Sequence, residues 1–484
     1  MGVLSTKSVE QSIRDTEEPE HQLRKELSSR DLTVFGIGVI IGTGIFVLTG
    51  VAAKDNAGPA VALSFVAAGV VCALAALCYA EFASTVPVAG SAYTFSYASL
   101  GELVAWIIGW DLMLEMALGG SVVAVGWSQY LVSLLESAGI ALPAAIASAE
   151  EGVFNLPAAL IVLVLTGVII SGIRISSAVN AVIVTIKLGI VLLVIGAGLF
   201  FVKAANYTPF LPEAQPAPPA EGATAPLIQV LFGVTPTNFG VAGIFTAAAI
   251  VFFAFIGFDV VATAAEETKT PQRDMPVGIL TSLAVCTGLY VAVSLVVVGM
   301  QKYTELDTAA PLASAFEAVG QPWLATVITV GALAGLTTVM MILMIGQTRV
   351  FFAMSRDRLL PRGFSRVHPR FGTPYRTTLV TGLVVAAMAG TIELEALATL
   401  VNIGTLFAFA LVSAGVLVLR SRRPDLPRAF KVPAVWLVAP ASIAACIYLM
   451  LYLPVETWWR FAAWMGVGLV IYLVYGRRRS EAAR

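Results

Sequence analysis

Charged residues are scarce in this chain. They make up 12% of its 484 residues, and the formal net charge is −1. Histidine occurs twice, cysteine occurs four times, and no two cysteines have the CxxC spacing. Because His21 and His368 both fall in polar segments, the sequence offers neither a disulfide framework nor a metal-ligand cluster within its apolar runs. We therefore expect no metal and no cofactor, and the near-neutral charge balance gives no reason to expect a nucleic acid partner.

Apolar residues dominate the composition. They form 58% of the chain, and the mean hydropathy is +0.88, which is typical of an integral membrane protein in a lipid bilayer. A helix needs about 20 mostly apolar residues to cross about 30 Å of hydrocarbon. Runs of this kind predict an all-α membrane protein with twelve transmembrane helices. They are 31–54, 58–83, 98–135, 157–173, 178–203, 244–267, 276–300, 323–354, 378–392, 396–419, 433–453 and 457–476.

The basic residues predict the orientation of these helices. Most of them fall in alternate loops and in the two terminal segments, and loops rich in Lys and Arg stay on the cytoplasmic side. Both termini are therefore expected in the cytoplasm of a multi-pass plasma membrane protein. Residues 1–30 form a charged leader without the apolar stretch of a signal peptide, and 477–484 form a basic tail.

One long loop divides the chain into comparable halves. Residues 204–243 contain a Pro-rich stretch that is typical of a flexible external loop. Five predicted helices precede it in 31–203 and five follow it in 244–420, and each group opens with a helix interrupted at glycine. This arrangement is the one expected of a five-plus-five inverted repeat with broken helices 1 and 6. The helices in 433–476 are two extra C-terminal helices.

The first interruption contains three glycines and a threonine between Gly38 and Gly44. Glycine weakens a helix by up to about 1 kcal/mol relative to alanine, so the chain can leave the helix here. The N–H groups of Thr43, Gly44 and Ile45 would then begin a new half-helix and bind a carboxylate, while the carbonyl of Ile40 would end the preceding half. The alternative is close helix packing through small residues.

The second interruption lies at Gly257, in a segment rich in phenylalanine. Carbonyl groups near Phe253 and Ile256 are expected to accept the donors of an ammonium group, and the Phe253 side chain is a candidate gate over the pocket. For most of the phenylalanines the alternative is simple packing. Because half-helix ends bind opposite charges, two such breaks at mid-membrane predict a zwitterionic amino acid as the ligand.

Two buried charges are further candidates. Lys187 lies about nine residues into the fifth predicted helix, roughly 14 Å from its start. A buried ammonium group loses its hydration, so we interpret Lys187 as a proton-coupling residue, with a permanent ion pair as the alternative. Glu115, one turn from Asp111, is the candidate for the side chain of a cationic substrate, with a structural pair as the alternative. Met341 and Asn402 are candidates for lining that pocket, and core packing is the alternative for Met341.

Three strings in this sequence resemble the amino acid–polyamine–organocation (APC) superfamily. They are Ile41-Gly42-Thr43-Gly44-Ile45-Phe46, the stretch from Glu81 to Tyr93 containing Pro87 and Gly90-Ser91-Ala92-Tyr93, and Phe253-Ala254-Phe255-Ile256-Gly257-Phe258-Asp259 followed by Glu266 to Arg273. The last string is most similar to the cationic amino acid transporter subfamily.

The resemblance implies the LeuT-like fold of two inverted five-helix repeats plus two helices. It also implies carboxylate binding at Thr43, Gly44 and Ile45, ammonium binding at the carbonyls of Ile40, Phe253 and Ile256, gating by Phe253, and a lysine at the position of Lys187 where sodium-coupled relatives bind sodium. A secondary active, proton-coupled amino acid transporter for cationic or small neutral substrates follows. An exchanger without proton coupling, a channel and a membrane sensor remain alternatives, and an enzyme is not expected.

Overall fold

The computed structural model describes residues 25–88, 91–149, 152–172, 177–216, 222–234, 237–366, 368, 371 and 373–476. Nearly all of its regular structure is helical. The α-helices are α1 (Ser29–Ile40), α2 (Thr49–Val51), α3 (Val61–Thr85), α4 (Ala92–Ser99), α5 (Glu102–Ser137), α6 (Ala144–Ala147), α7 (Leu156–Ile170), α8 (Ser177–Gly198), α9 (Leu227–Phe232), α10 (Gly240–Val251), α11 (Phe258–Val261), α12 (Pro271–Met300), α13 (Pro311–Ala318), α14 (Pro322–Arg356), α15 (Tyr375–Thr391), α16 (Leu394–Arg422), α17 (Val435–Leu451) and α18 (Val455–Ile471).

Tighter and wider turns extend several of these helices. π-helical turns occur at Gly44–Leu48, Ala52–Ala57 and Tyr472–Gly476. Segments of 3₁₀-helix occur at Gly58–Ala60, Leu199–Phe201, Ala204–Tyr207, Gly222–Thr224, Phe252–Phe255, Ala262–Glu267, Tyr303–Glu305 and Arg362–Ser365. Such departures from the α-helix are frequent at functional sites, and two of these segments flank the predicted breaks.

Each of the twelve predicted apolar runs coincides with helix. Among the described residues, eight helical segments are long and apolar enough to cross a membrane. They are Gly44–Thr85, Glu102–Ser137, Ala181–Phe201, Gly240–Glu267, Pro271–Met300, Pro322–Phe352, Leu394–Arg422 and Val455–Gly476. This number is lower than twelve because Gly44–Thr85 joins two predicted runs in one segment, and because α7, α15 and α17 contain 15, 17 and 17 residues.

Helix α5 lies at the centre of the bundle. It packs along α14, α16 and α15, and 89% of its most apolar window is buried, compared with 33% for the window of α8 and 22% for that of α18. The outer faces of α8 and α18 carry exposed residues such as Leu192 and Val470. In a membrane protein these apolar outer faces contact lipid, and the polar side chains buried around α5 line the protein interior.

The loop 204–243 has more structure than the sequence predicts. It contains two 3₁₀ turns, the short helix α9, and a two-residue antiparallel pair of strands, β1 (Gln215–Pro216) and β2 (Thr237–Asn238). Its prolines and glycines suggested flexibility because composition does not reveal these backbone contacts. The predicted leader, except for its last residues, and the predicted tail 477–484 lie outside the described residues.

Two sets of contacts tie helix ends together on one side of the bundle. The segment before α1 bonds to the segment before α12, where Lys269 donates its N–H to the Leu27 carbonyl at 2.9 Å. Glu81 at the end of α3 accepts from Arg420 of α16 at 2.8 Å and from the Val432 N–H at 2.7 Å, and Arg428 forms an ion pair with the same carboxylate. The loop between α16 and α17 is thereby held against α3.

Candidate functional site at the two helix breaks

The first predicted break is present. Helix α1 ends at Ile40, and Ile41 has an extended backbone, with φ −71° and ψ 98°. A π-helical turn begins at Gly44, and its first turn closes onto the carbonyl of Gly42. The interruption is therefore short and lies at Ile41 and Gly42, inside the glycine-rich string that predicted it.

The second predicted break is also present. Helix α10 tightens into a 3₁₀ turn at Phe252–Phe255, Ile256 is extended at ψ 133°, and Gly257 has φ 125°. A residue with a Cβ is strained at such a φ, so glycine is needed here. The Asp259 carboxylate accepts the Gly257 N–H at 3.1 Å and stabilises the start of α11.

The two breaks contact each other through their glycines. A Cβ added to Gly44 would lie 2.2 Å from the Cα of Ala254, and one added to Gly257 would lie 2.6 Å from a methyl carbon of Val39. Backbone therefore lies directly against backbone at this crossing. The small residues do serve close packing, as one sequence interpretation held, but they do so at interrupted helices rather than along continuous ones.

Side chains from surrounding helices bind the carbonyl groups at the breaks. Three of them act at or next to the interruptions: Lys187 of α8 bonds to Gly38 and Ile41, Tyr290 of α12 bonds to Ile40 and Ala254, and Asn402 of α16 bonds to Ala249 and Ile250. An unpaired carbonyl inside a membrane costs several kcal/mol, and these donors offset that cost at the interruptions.

Lys187 lies beside the first break and α14. Its Nζ donates to the carbonyls of Gly38 at 2.7 Å and Ile41 at 3.4 Å, and the side chain is 1% exposed. Its methylene groups contact Gly335. Within the described residues it forms no salt bridge, which does not support a permanent ion pair. The hydroxyl groups of Thr337 and Thr338, also on α14, donate to carbonyls of their own helix.

The three predicted carboxylate donors lie together at the start of the second half-helix. Thr43, Gly44 and Ile45 are buried. The Ile45 N–H donates to the Gly42 carbonyl at 3.2 Å, so it is already engaged within the turn. The Thr43 hydroxyl is buried without a hydrogen-bond partner in the described structure, and its side chain contacts Gly126 of α5. An unpaired buried hydroxyl at a helix start is available to a carboxylate.

The three predicted ammonium acceptors come from both breaks, Ile40 from the first and Phe253 and Ile256 from the second. The Ile40 carbonyl accepts from Tyr290 at 2.6 Å, and the Phe253 carbonyl accepts from the Ile256 N–H at 3.2 Å. Ile40, Phe253 and Ile256 are at most 9% exposed. The breaks thus bring the predicted donors and acceptors to one buried place, although two of the acceptors have protein partners here.

The phenylalanines of the second break fall into two groups. Phe252 and Phe258 both contact the ring of Phe409, and Phe255 contacts the rings of Phe65 and Tyr290. These three pack in the core, as the alternative interpretation held for most of them. Phe253 has no ring partner among the described residues and is 6% exposed, so its role as a gate stays a prediction.

Carboxyl groups gather beside the second break. Glu115 and Asp111 of α5 are 4% and 0% exposed, and Glu115 lies close enough to Asp259 and to the Thr405 hydroxyl to interact with both. Both oxygens of Asp111 and one oxygen of Glu115 have no hydrogen-bond partner in the described structure. Within the described residues Glu115 forms no ion pair with a basic side chain, so the structural-pair alternative is not supported by a protein cation. Like charges this close favour sharing of protons or a positively charged guest.

Met341 and Asn402 are both buried. Met341 of α14 is 5% exposed. The amide nitrogen of Asn402 donates to the Ala249 carbonyl at 2.7 Å, so it supports the second break directly, while its oxygen is buried and unpartnered. Their assignment to the side-chain pocket stays a prediction, and for Asn402 only the oxygen is free to meet a substrate.

Sequence reasoning missed Tyr290 and Tyr79. The first bridges the two breaks, and the second is a fully buried tyrosine of α3 whose hydroxyl has no hydrogen-bond partner in the described structure. A hydroxyl inside an apolar run was the available signal, since buried tyrosines normally find a partner for it. The chain contains twelve tyrosines, and the sequence alone does not distinguish these two from the others.

The membrane-length helices and the two interrupted helices that meet in the protein interior define a multi-pass membrane protein. The amino acid permease family model matches residues 27–474. The methylthioribose transporter of Bacillus subtilis is 47% identical over 462 residues, which are 95% of each chain. The branched-chain amino acid permease BcaP of the same organism is 47% identical over 486 residues, covering 99% of this chain and 98% of the permease.

More distant similarity extends to plants. The vacuolar cationic amino acid transporter 2 of Arabidopsis thaliana is 40% identical over 409 residues, which are 84% of this chain and 61% of that protein. The chain belongs to the amino acid permease family of the APC superfamily, and the resemblance drawn from its motifs is confirmed. It is a membrane transporter, not an enzyme.

Proposed function

We propose that this protein is a secondary active transporter that moves amino acids across the plasma membrane by alternating access, with both termini in the cytoplasm. The observation that carries the proposal is the reciprocal contact of the two breaks at Gly44 and Gly257. Helix-start N–H groups and helix-end carbonyls both occur at these breaks, and these two kinds of group bind the two charges of an amino acid. The carboxylate is assigned to Thr43, Gly44 and Ile45, and the ammonium group to the carbonyls of Ile40, Phe253 and Ile256.

A twelve-helix fold with an inverted five-plus-five repeat fits the donors at the breaks. The fifth predicted helix supplies Lys187 to the first break, and the tenth supplies Asn402 to the second. Helices 5 and 10 are equivalent in such a repeat, as are helices 1 and 6. The same relation between donor and break therefore occurs in each half, which supports the repeat independently of sequence identity.

Proton coupling is assigned to Lys187. Its ammonium group donates only to carbonyls of the first break and lacks a carboxylate partner within the described residues. Loss of its proton would replace the charge-assisted hydrogen bonds to Gly38 and Ile41 with weaker neutral ones, so protonation and the conformation of this half-helix are linked. This link is what a symporter requires. An exchanger that takes no energy from the proton gradient is the alternative.

Two substrate classes have specific support. Both oxygens of Asp111 and one oxygen of Glu115 lack a hydrogen-bond partner in the described structure, which favours a cationic side chain, and relatives in Arabidopsis are cationic amino acid transporters. The 47% identity to a branched-chain amino acid permease favours apolar side chains, which Met341 would contact. Small neutral amino acids are compatible with both kinds of side-chain pocket. Glu115 decides between the two classes, because an apolar substrate gains nothing from its charge.

Uptake by purified protein in proteoliposomes tests the function. We expect saturable uptake of labelled arginine, alanine or valine when the outside is more acidic, and faster labelled uptake when the vesicles hold the same amino acid unlabelled. A channel or a sensor shows no acceleration by internal substrate. Binding without either flux would contradict transport.

Substitution of Glu115 tests the side-chain site. We expect Glu115→Gln to weaken arginine relative to alanine by about tenfold or more, since losing one partner of a buried charge pair costs several kcal/mol. Competition of each amino acid against a labelled common substrate measures the ratio. Glu81→Gln removes a buried carboxylate that binds Arg420 and Arg428 rather than a group at either break, so it is the matched control and should leave the ratio unchanged. An unchanged ratio in Glu115→Gln would refute the assignment.

A further inference from the structure

The hydroxyl of Tyr290 contacts both helix breaks at once. Its oxygen lies 2.6 Å from the carbonyl oxygen of Ile40, the last residue of α1, and 2.8 Å from that of Ala254, in the turn before the second break. Tyr290 is fully buried, and Ile40 and Ala254 are 2% and 1% exposed. In this conformation bulk water does not satisfy these carbonyls, so the hydroxyl is their donor.

The ring of Tyr290 is held in a fixed position. It packs between the rings of Phe65 and Phe255, at centroid distances of 5.6 and 5.3 Å. Phe255 belongs to the same turn as Ala254, and Phe65 lies on α3. The hydroxyl therefore cannot swing away from the breaks without disturbing three packed rings, and any change in its bonding must come from movement of the breaks or from a competing donor.

One hydroxyl proton cannot serve two carbonyls well. A phenol carries a single O–H donor, whereas an ammonium group carries three. The hydrogen bond of Tyr290 is thus either divided between Ile40 and Ala254 or given to one of them at a time. A charged donor makes a stronger hydrogen bond than a neutral one. An arriving ammonium group can take the Ile40 carbonyl and leave Tyr290 its full bond to Ala254.

We propose that Tyr290 stands in for the substrate's ammonium group in the closed, empty carrier, and that it returns the Ile40 carbonyl to the substrate when one binds. This inference rests on the proposed transport function and adds a positioning residue to its site. Closure of an empty site would otherwise leave buried acceptors unpaired, at a cost that slows the return of the empty carrier.

Net uptake and exchange separate this role from a general one. Net uptake requires the empty carrier to close and reorient, whereas in exchange with internal substrate the carrier reorients only when it is loaded. Tyr290→Phe keeps the ring and removes the hydroxyl. In the closed empty carrier it leaves two carbonyls without a donor, but in the loaded carrier it leaves only Ala254 without one. We expect net uptake to fall about tenfold, the effect of one lost buried hydrogen-bond partner, and exchange to fall less than about threefold.

Tyr130→Phe is the matched control. Tyr130 of α5 is also fully buried and donates its hydroxyl to a break-helix carbonyl, that of Phe46 at 2.7 Å, but it does not join the two breaks. Its loss should change net uptake and exchange by the same factor. The assay uses whichever of labelled arginine, alanine or valine the wild-type protein exchanges.

Failure of this inference is distinguishable from failure of the transport function. If the wild-type protein exchanges none of the three amino acids, the proposed function fails. If the wild-type protein exchanges one of them and Tyr290→Phe lowers net uptake and exchange equally, or lowers neither, the role of Tyr290 is refuted. Thermal unfolding of both variants checks that each remains folded, and a misfolded Tyr290→Phe would show equal loss in both assays and count against the proposal.

Discussion

Gly44→Ala should abolish transport, with uptake falling by about 100-fold or more. The new methyl carbon would lie 2.2 Å from the Cα and 2.3 Å from the Cβ of Ala254, distances that require one break to move away from the other. Because the obstacle includes main chain, it cannot be relieved by a change of rotamer. A displacement of about 1 Å at a site of this kind costs about 100-fold in rate. Proteoliposome uptake measures the effect.

The chain supplies a matched control two residues away. A Cβ at Gly42 would meet nothing closer than a methyl group of Val339 at 3.5 Å, which is ordinary contact. Gly42→Ala should therefore keep most of the activity. Gly257→Ala should behave like Gly44→Ala, because its φ is 125° and its Cβ would lie 2.6 Å from Val39. Equal activity of Gly42→Ala and Gly44→Ala, with both proteins folded, would mean that contact between the breaks is not required.

Lys187→Met should remove the response to a proton gradient. The substitution keeps an unbranched apolar chain against Gly335 but removes the ammonium group that bonds to Gly38 and Ile41. Uptake driven by acid outside should fall to the level measured without a gradient, while exchange at equal pH should persist in part. Uptake across a range of imposed pH gradients, together with exchange at equal pH, measures both.

Lys187→Arg separates charge from proton exchange. An arginine keeps a positive charge and hydrogen-bond donors but does not lose its proton in proteins. We therefore expect this variant to retain more exchange than Lys187→Met and still to lose the gradient response. A gradient response that persists in either variant would show that another group carries the proton, and Glu115 beside Asp259 would be the next residue to test.

The sequence predicted the breaks because their cause is local. Glycine weakens a helix wherever it occurs, and Gly42, Gly44 and Gly257 lie in apolar runs predicted to be helical. A weakened helix inside a membrane indicates a site. Lys187 was predictable for a related reason, since a lysine deep within an apolar run needs a partner. For these residues the cause lies within one short segment of the sequence, and the structure confirms where the chain leaves the helix.

The hydrogen-bond partners of Asn402 and Tyr290 depend on tertiary contacts, which the sequence does not show. Asn402 was expected in the substrate pocket, but its amide nitrogen supports the second break, 153 residues away in the sequence. Tyr290 bridges two carbonyls, one of them 250 residues away. The sequence does not identify the partner of either side chain. A hydroxyl or an amide in an apolar run requires a hydrogen bond, but the sequence does not specify which carbonyl accepts it.

The central claim is that peptide groups at the two breaks bind the carboxylate and the ammonium group of one amino acid. Inhibition of exchange by modified substrates tests it most directly: the methyl ester lacks the carboxylate charge, and the N-acetyl derivative lacks the ammonium group. We predict that each derivative inhibits exchange at least about 100-fold more weakly than the parent amino acid, because buried hydrogen bonds to charged groups contribute about 1.5–3 kcal/mol each and several are lost together. Inhibition by either derivative at the concentration that suffices for the parent would contradict the account.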